Sequence, residues 1–291
     1  MLDLDAYFQR IGYDGSREPT LQTFAAVHLA HATQIPFENL DIHLGRPIQI
    51  DLASIQAKLV HSRRGGYCFE HNTLLAAALE ELGFRVTALA ARVRLGASRV
   101  LSKTHMLLMV DLESPPKVAV RSARIAACQD PATAPGAPWL ADVGFGTGGL
   151  LAPLPLTPEQ VSQQHGRSYR LTREEPQTWV LQSLSRGAWH DLYAFTLEPH
   201  YPIDYEMANH YISTHPASRF VQTLVAQRQT LDACHLLRNR EHSVVRGDDV
   251  RVRTIMHDEE LLQVLDETFG ISLPPGCPVI LTSGWCCATS R

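Results

Sequence analysis

The 291-residue chain has no Cys-x-x-Cys pair and no His-Glu-x-x-His. Its cysteines, Cys68, Cys128, Cys234, Cys277, Cys286 and Cys287, follow no regular spacing. That excludes a disulfide framework, so the thiols are expected to be reduced, and no metal site is expected, because a closed zinc site needs four suitably spaced ligands. Glu206 and His210 lie one helical turn apart, but that spacing is common. The chain also lacks an excess of basic residues: a formal net charge of -4 argues against nucleic acid as a main partner. No stretch reaches the ~18 uncharged apolar residues of a membrane span. The start, Met1-Leu2-Asp3-Leu4-Asp5, has neither the basic region nor the apolar run of a secretory signal, so a cytoplasmic location without a membrane partner is expected. Internal repeats and low-complexity runs are absent too. A composition of 45% hydrophobic and 19% charged residues belongs to a folded globular chain, and its length suits about two or three subdomains around one cleft.

What is present divides by period. The first 85 residues read as a helical bundle. Residues 3 to 11 are amphipathic and end at Gly12. Thr20 caps a helix with Leu21, Phe24, Ala25 and Leu29 on one face, stopped by Pro36, and Asp51 caps another with Leu52, Ile55 and Leu59 at helical spacing. After Cys68, Leu75, Leu79 and Leu82 line one face until Gly83. From 86 to 200 the period shortens. Val86 to Leu95, Thr104 to Leu112 and Trp139 to Phe145 read as strands, and Trp179 to Leu184 with Trp189 to Phe195 as a hairpin across Ser185-Arg186-Gly187-Ala188. A mostly antiparallel sheet or small barrel fits, with Ser114 to Pro138, rich in proline, as an exposed insertion. Residues 201 to 291 are mixed. Asp204 to Thr214, Ala217 to Gln229 and Asp258 to Phe269 read as helices, and His235 to Thr254 as short strands around Arg246-Gly247-Asp248-Asp249. The expected fold class is thus α+β: helical bundle, barrel, α/β portion.

The stretch with most chemistry in it is Arg63-Arg64-Gly65-Gly66-Tyr67-Cys68-Phe69-Glu70-His71-Asn72. Two glycines permit a sharp turn ahead of a cysteine at a helix start, where the partial positive charge of the first turn favours thiolate, the nucleophilic form. Such a nucleophile needs a base and a group to orient that base. His105 opens one apolar strand and Asp142 lies near the end of another; a polar side chain buried there without a partner costs about 1–3 kcal/mol, so a mutual hydrogen bond is the expected solution. Taken singly, each has an ordinary reading: a small buried cysteine, a solvated histidine, an aspartate before a turn. Their order and the glycines before Cys68 favour the triad.

Gly144-Phe145-Gly146-Thr147-Gly148-Gly149 is not a dinucleotide fingerprint, because Leu150-Leu151-Ala152-Pro153-Leu154-Pro155 cannot begin a regular helix. Two readings stay open, a tight turn and a loop whose amides cradle phosphate.

Arg64-Gly65-Gly66-Tyr67-Cys68-Phe69-Glu70, with Pro36-Phe37-Glu38-Asn39-Leu40, the Thr104-His105 strand, Asp142-Val143-Gly144-Phe145-Gly146 and Asn209 to Phe220, resembles the arylamine N-acetyltransferase family over most of the chain. The resemblance implies a bundle, a barrel and an α/β lid, with Cys68 as nucleophile, His105 as base and Asp142 as orienting acid. It implies ping-pong transfer of acetyl from acetyl-CoA to an arylamine or arylhydrazine through an acetyl-cysteine, with no permanently bound cofactor, in a monomer or homodimer. Phe37, Phe69 and Phe145 become candidate aromatic walls, and Thr104, Gly146, Thr147 and Gly148 candidate coenzyme contacts. Glu38, Arg64 and Glu70 read as a buried scaffold. Three features depart from the family pattern: His71 replaces the common glutamine, the insertion at 114–138 is long, and the Cys286-Cys287 pair in the tail has no assigned role. The nearest rival has the same fold and triad, an amide synthase that loads a longer acyl chain on Cys68.

Overall fold

The computed structural model describes residues 1–112, 137–146, 148–174, 177–247 and 249–273. Thr147, Cys286-Cys287 and all of the 114–138 insertion except Ala137 and Pro138 lie outside the described residues.

The N-terminal helices follow their punctuation. Helix α1 (Leu4–Ile11) is capped by Asp3, whose carboxylate accepts from Ala6 N, and ends at Gly12 in the left-handed region; α2 (Leu21–Gln34) is capped by Thr20. A two-residue strand β1 (Phe37–Glu38) and a short α3 (Leu40–His43) follow. The helix capped by Asp51 is regular only over α4 (Leu52–Ile55); from Gln56 to His61 it widens into a π-helix, closed by a bond from Ser62 N to Ala57 O at 2.9 Å. Such widenings recur near functional sites. This one carries the half-buried Lys58 toward the turn before Cys68. Helix α5 (Cys68–Glu81) then begins at the cysteine itself.

Eight strands form one antiparallel sheet: β2 (Arg85–Val93), β3 (Lys103–Asp111), β4 (Trp139–Ala141), β5 (Leu154–Pro155), β6 (Ser162–Gln164), β7 (Arg167–Glu174), β8 (Thr178–Ser185) and β9 (Ala188–Phe195), in the order β5-β4-β3-β2-β9-β8-β7-β6. The predicted hairpin is β8–β9, turning through Arg186 and Gly187, both at positive φ. Strands β5 to β7 are short or polar and carry little sequence signal. The two edges are drawn together by Gln164 of β6, whose amide accepts from Leu151 N and Ala152 N at 2.9 Å each and donates to Ala152 O at 3.0 Å. This side chain stands in for a strand ladder and leaves the sheet a nearly closed barrel around Leu89, Leu107, Leu140, Tyr169, Trp179 and Tyr193.

The C-terminal portion holds α6 (Pro202–Thr214), α7 (Arg219–Gln222), β10 (Val225–Gln229), β11 (Cys234–Arg238), β12 (Glu241–Arg246), β13 (Asp249–Thr254) and α8 (Asp258–Phe269). The expected helix from Ala217 to Gln229 is wrong beyond Gln222. Val225 to Gln229 pairs with β11 on one side and with Phe37–Glu38 on the other. Asn39 enforces the switch: it donates to Phe220 O and Thr223 O at 2.8 Å and accepts from Val225 N at 2.7 Å. Tertiary pairing overrides local propensity there. Because β1 is an edge strand of this second sheet, the N-terminal and C-terminal portions share main-chain hydrogen bonds. Among the described residues no helix is long and apolar enough to cross a membrane.

Candidate active site

The turn before α5 is shaped by close approach. A Cβ on Gly65 would stand 2.0 Å from Pro36 O and one on Gly66 2.5 Å from a Glu70 carboxylate oxygen, so both positions demand glycine. Beneath the turn lie three buried acids and two bases. Arg64 meets Glu38 at 2.7 Å and Asp41 at 3.2 Å, and Lys58 meets Asp41 and Glu70 at 2.7 Å each. Glu70 also accepts from Tyr67 N at 3.0 Å, capping the helix that Cys68 opens. Three carboxylates thus face two cations. Burial pushes the Glu70 carboxyl up to about 7 in spite of Lys58, and Glu38 adds to the rise. The scaffold reading of Glu38, Arg64 and Glu70 matches this geometry, and Lys58 and Asp41 complete it.

Cys68 is a free, buried thiol that donates to Thr104 O at 3.6 Å. The next residue, His105, lies within β3, and its Nε2 is 2.7 Å from Asp142 Oδ2. Both side chains are buried. Burial alone would lower the His105 pKa, but the Asp142 carboxylate outweighs it and, with Cys68 adding, pushes it up to about 10. Burial works to raise the Asp142 pKa; His105, Asn72 and Gly144 N overcome it and hold the carboxyl below its ordinary value. The sequence-predicted Cys68, His105 and Asp142 are thus brought together.

Asp142 stands just past the end of β4 rather than in it, because its side chain replaces the ladder. Its Oδ1 accepts from Gly144 N at 2.9 Å and Asn72 Nδ2 at 3.0 Å. Asn72 also donates to Met106 O at 2.8 Å and accepts from Val143 N at 3.1 Å. On the far side, His28 Nε2 accepts from Asp142 N at 3.2 Å. Sequence reasoning missed both. Asn72 was findable, standing one turn after Cys68 on the same helical face; His28 carries no sequence signal, its partner being 114 residues away. Tyr193 was missed as well. It is wholly buried, its ring centroid 4.9 Å from that of His105, with its hydroxyl beside Asp142 but not completing a hydrogen bond.

The predicted aromatic walls are placed unequally. Phe145 is half-buried and meets the His105 ring edge-on at 5.2 Å and 79°. Phe37 borders a small cavity with Ala32, Ile35, Val143, Gly146, Gln227 and Gln229, and packs on Phe220 of α7. Phe69 is turned into the core between Tyr67 and Tyr205. Thr104 reaches Cys68 through its carbonyl. The glycine loop has its carbonyls engaged: Gly146 O accepts from Gly149 N and Gln229 Nε2 at 2.9 Å each, and Tyr169 donates to Gly148 O and Gly149 O. Gly149 N is therefore spent within the turn, which favours the tight-turn reading over an anion nest at that amide.

A buried cysteine at a helix start with a histidine–carboxylate pair beside it is equipped for acyl transfer through sulfur. The chain matches the N-acetyltransferase family over residues 20–115 and 132–276. It is 39% identical to the arylamine N-acetyltransferase of Mycolicibacterium smegmatis over 278 residues, 94% of this chain and 93% of that protein. The chain belongs to the arylamine N-acetyltransferase family. It is an acyltransferase. Its fold superposes on the crystal structure of the Nocardia farcinica arylamine N-acetyltransferase with a TM-score of 0.82 at 41% identity, covering 97% of this chain and 94% of that one. It is also similar to the Mycobacterium marinum arylamine N-acetyltransferase in complex with CoA, with a TM-score of 0.80 at 34% identity over 92% and 93% of the two chains. Residues 116–131, within the predicted insertion, fall between the two stretches that match the N-acetyltransferase family.

Proposed function

We propose that the enzyme transfers acetyl from acetyl-CoA to arylamines and arylhydrazines by a ping-pong route through an acetyl thioester on Cys68. The observation that carries this reading is the buried His105–Asp142 pair, 2.7 Å apart, serving a thiol on the first residue of α5. The bundle (residues 1–85) supplies the nucleophile, the barrel (86–200) the base and acid, and the α/β portion (201–291) the cover. Work in the reducing cytoplasm keeps Cys68 a thiol.

In the first half-reaction His105 takes the Cys68 proton and the sulfur attacks the thioester carbonyl. The acetyl–S bond to CoA breaks, His105 returns the proton to the departing sulfur, and CoA leaves as its thiol. In the second, the amine nitrogen attacks the acetyl-Cys68 carbonyl, its proton passes to His105, and Cys68 departs as thiolate. Asp142 keeps the imidazole oriented with Nε2–H toward itself, so Nδ1 is the nitrogen available to the thiol. Thioester exchange between two sulfurs costs little, whereas the acetyl-cysteine remains reactive toward an amine while burial limits water. Phe145 and Phe37 wall the acceptor ring. Phe69 supports the wall from the core. The coenzyme contacts Thr104, Gly146, Thr147 and Gly148.

Intact mass after mixing with acetyl-CoA tests the reading. One added acetyl group on the wild type and none on Cys68→Ser is the expected result; no adduct on either, or one on both, overturns it. Acceptance of longer acyl donors in place of acetyl, with no turnover of simple arylamines, points to the amide synthase.

A further inference from the structure

Behind the nucleophile a line of polar groups crosses the bundle interior. Tyr7 of α1 reaches His31 Nδ1 of α2 at 2.9 Å, His31 Nε2 reaches His71 Nδ1 of α5 at 3.0 Å, and His71 Nε2 reaches Pro36 O at 3.2 Å. All three side chains are buried. The far end of the line fixes the protons. A carbonyl oxygen can only accept, so His71 carries its proton on Nε2 and must accept at Nδ1. His31 then donates from Nε2 and accepts at Nδ1, and the Tyr7 hydroxyl donates. Reversing any one link reverses all of them and leaves a lone pair of His71 facing Pro36 O. Burial lowers the His71 pKa to about 4, with the Pro36 and Gly66 carbonyls working in the other direction, so the ring is neutral near pH 7.

His71 also has a face. Its ring lies nearly parallel to that of Phe37, 13° apart with centroids separated by 6.3 Å, the offset arrangement that aromatic pairs prefer. One residue thereby holds the Phe37 segment twice, by its edge at the Pro36 carbonyl and by its face at the Phe37 ring. Phe37 in turn meets Phe220, and the Cβ that Gly146 lacks would approach it to 3.3 Å.

We propose that His71 is a positioning residue that sets acceptor specificity, and that Tyr7, acting through His31, locks it in the Nε2–H tautomer that lets it hold Pro36 and Phe37 together. Glutamine at this position could donate to Pro36 O and accept from His31 but would offer no ring to Phe37. The proposal rests on the acyl-transfer reading for its kinetic arm and on geometry alone for its spectroscopic one.

Nitrogen NMR of the wild-type histidines is expected to show His31 and His71 both protonated on Nε2; a proton on His71 Nδ1 overturns the relay. In single-turnover kinetics H71Q is expected to acetylate Cys68 at the wild-type rate while its arylamine KM rises about three- to ten-fold, and Y7F to shift the same constant in the same direction. An unchanged acceptor KM in H71Q, or a fall of both half-reactions in step, overturns the proposal. A wild type that takes no acetyl group overturns the acyl-transfer reading instead and leaves the tautomer result to stand or fall by itself.

Discussion

His105 sits under two opposed influences. A wholly buried imidazole is neutral by default, and here Asp142 at 2.7 Å reverses that, raising the His105 pKa to about 10. A pKa raised above the unfolded value means stability that is whole below about 6.5 and is lost as pH climbs through about 10. Melting temperature is therefore expected to decline from pH 7 to pH 10, with a shallower decline in Asp142→Asn. The same substitution removes the group that orients the imidazole, so acetyl transfer is expected to fall by about 10²- to 10⁴-fold with little loss of secondary structure by circular dichroism. A variant within a few-fold of wild-type activity contradicts the orienting role.

Two elements meet at the site without sharing a ladder: the first turn of α5 and the chain leaving β4. What lets them touch is Gly144. A Cβ there would stand 2.7 Å from both Asn72 Nδ2 and Cys68 Cα, and 3.0 Å from Cys68 O. Backbone cannot yield as a side-chain tip does, so Gly144→Ala is expected to push β4 from α5 and part Cys68 from His105. Activity is expected to drop at least about 100-fold while the melt stays cooperative, because a displacement of ~1 Å is costly to chemistry. Alkylation of Cys68 at pH 7, slowed in the variant, reads out the same displacement; an unchanged alkylation rate contradicts it. The periods of α5 and β3 were legible in the sequence, as were their polar residues. The approach of α5 to β4 was not, because a glycine that admits a neighbour and a glycine that makes a turn look alike along a chain.

Across the whole molecule, buried histidines tie the bundle together and, through His28, to the barrel. His28 accepts from Asp142 N, and His71 pairs with His31 at 3.0 Å. Burial lowers both pKa values to about 4. For a depressed histidine the unfolded chain binds the proton first, so the stability is whole above about 6.5 and is lost as pH falls toward 4. The enzyme is expected to lose melting temperature steadily from pH 6.5 to pH 4, with a gentler slope in His28→Asn. An identical slope in that variant removes His28 from the acid limb.

By itself the sequence determined the helix starts at Thr20 and Asp51, the stop at Gly12 and the β8–β9 hairpin, and it singled out Cys68, His105 and Asp142 as candidates, because caps, turns and periods are local chemistry. Only the tertiary structure decided that Val225 to Gln229 is a strand, that Gln164 draws the barrel edges together, that Phe69 faces the core, and that Asn72 and His28 hold the acid. Each of these depends on a partner remote along the chain. The remote partner, rather than the residue's own preference, sets the free energy of the buried polar group or unpaired backbone that must be satisfied.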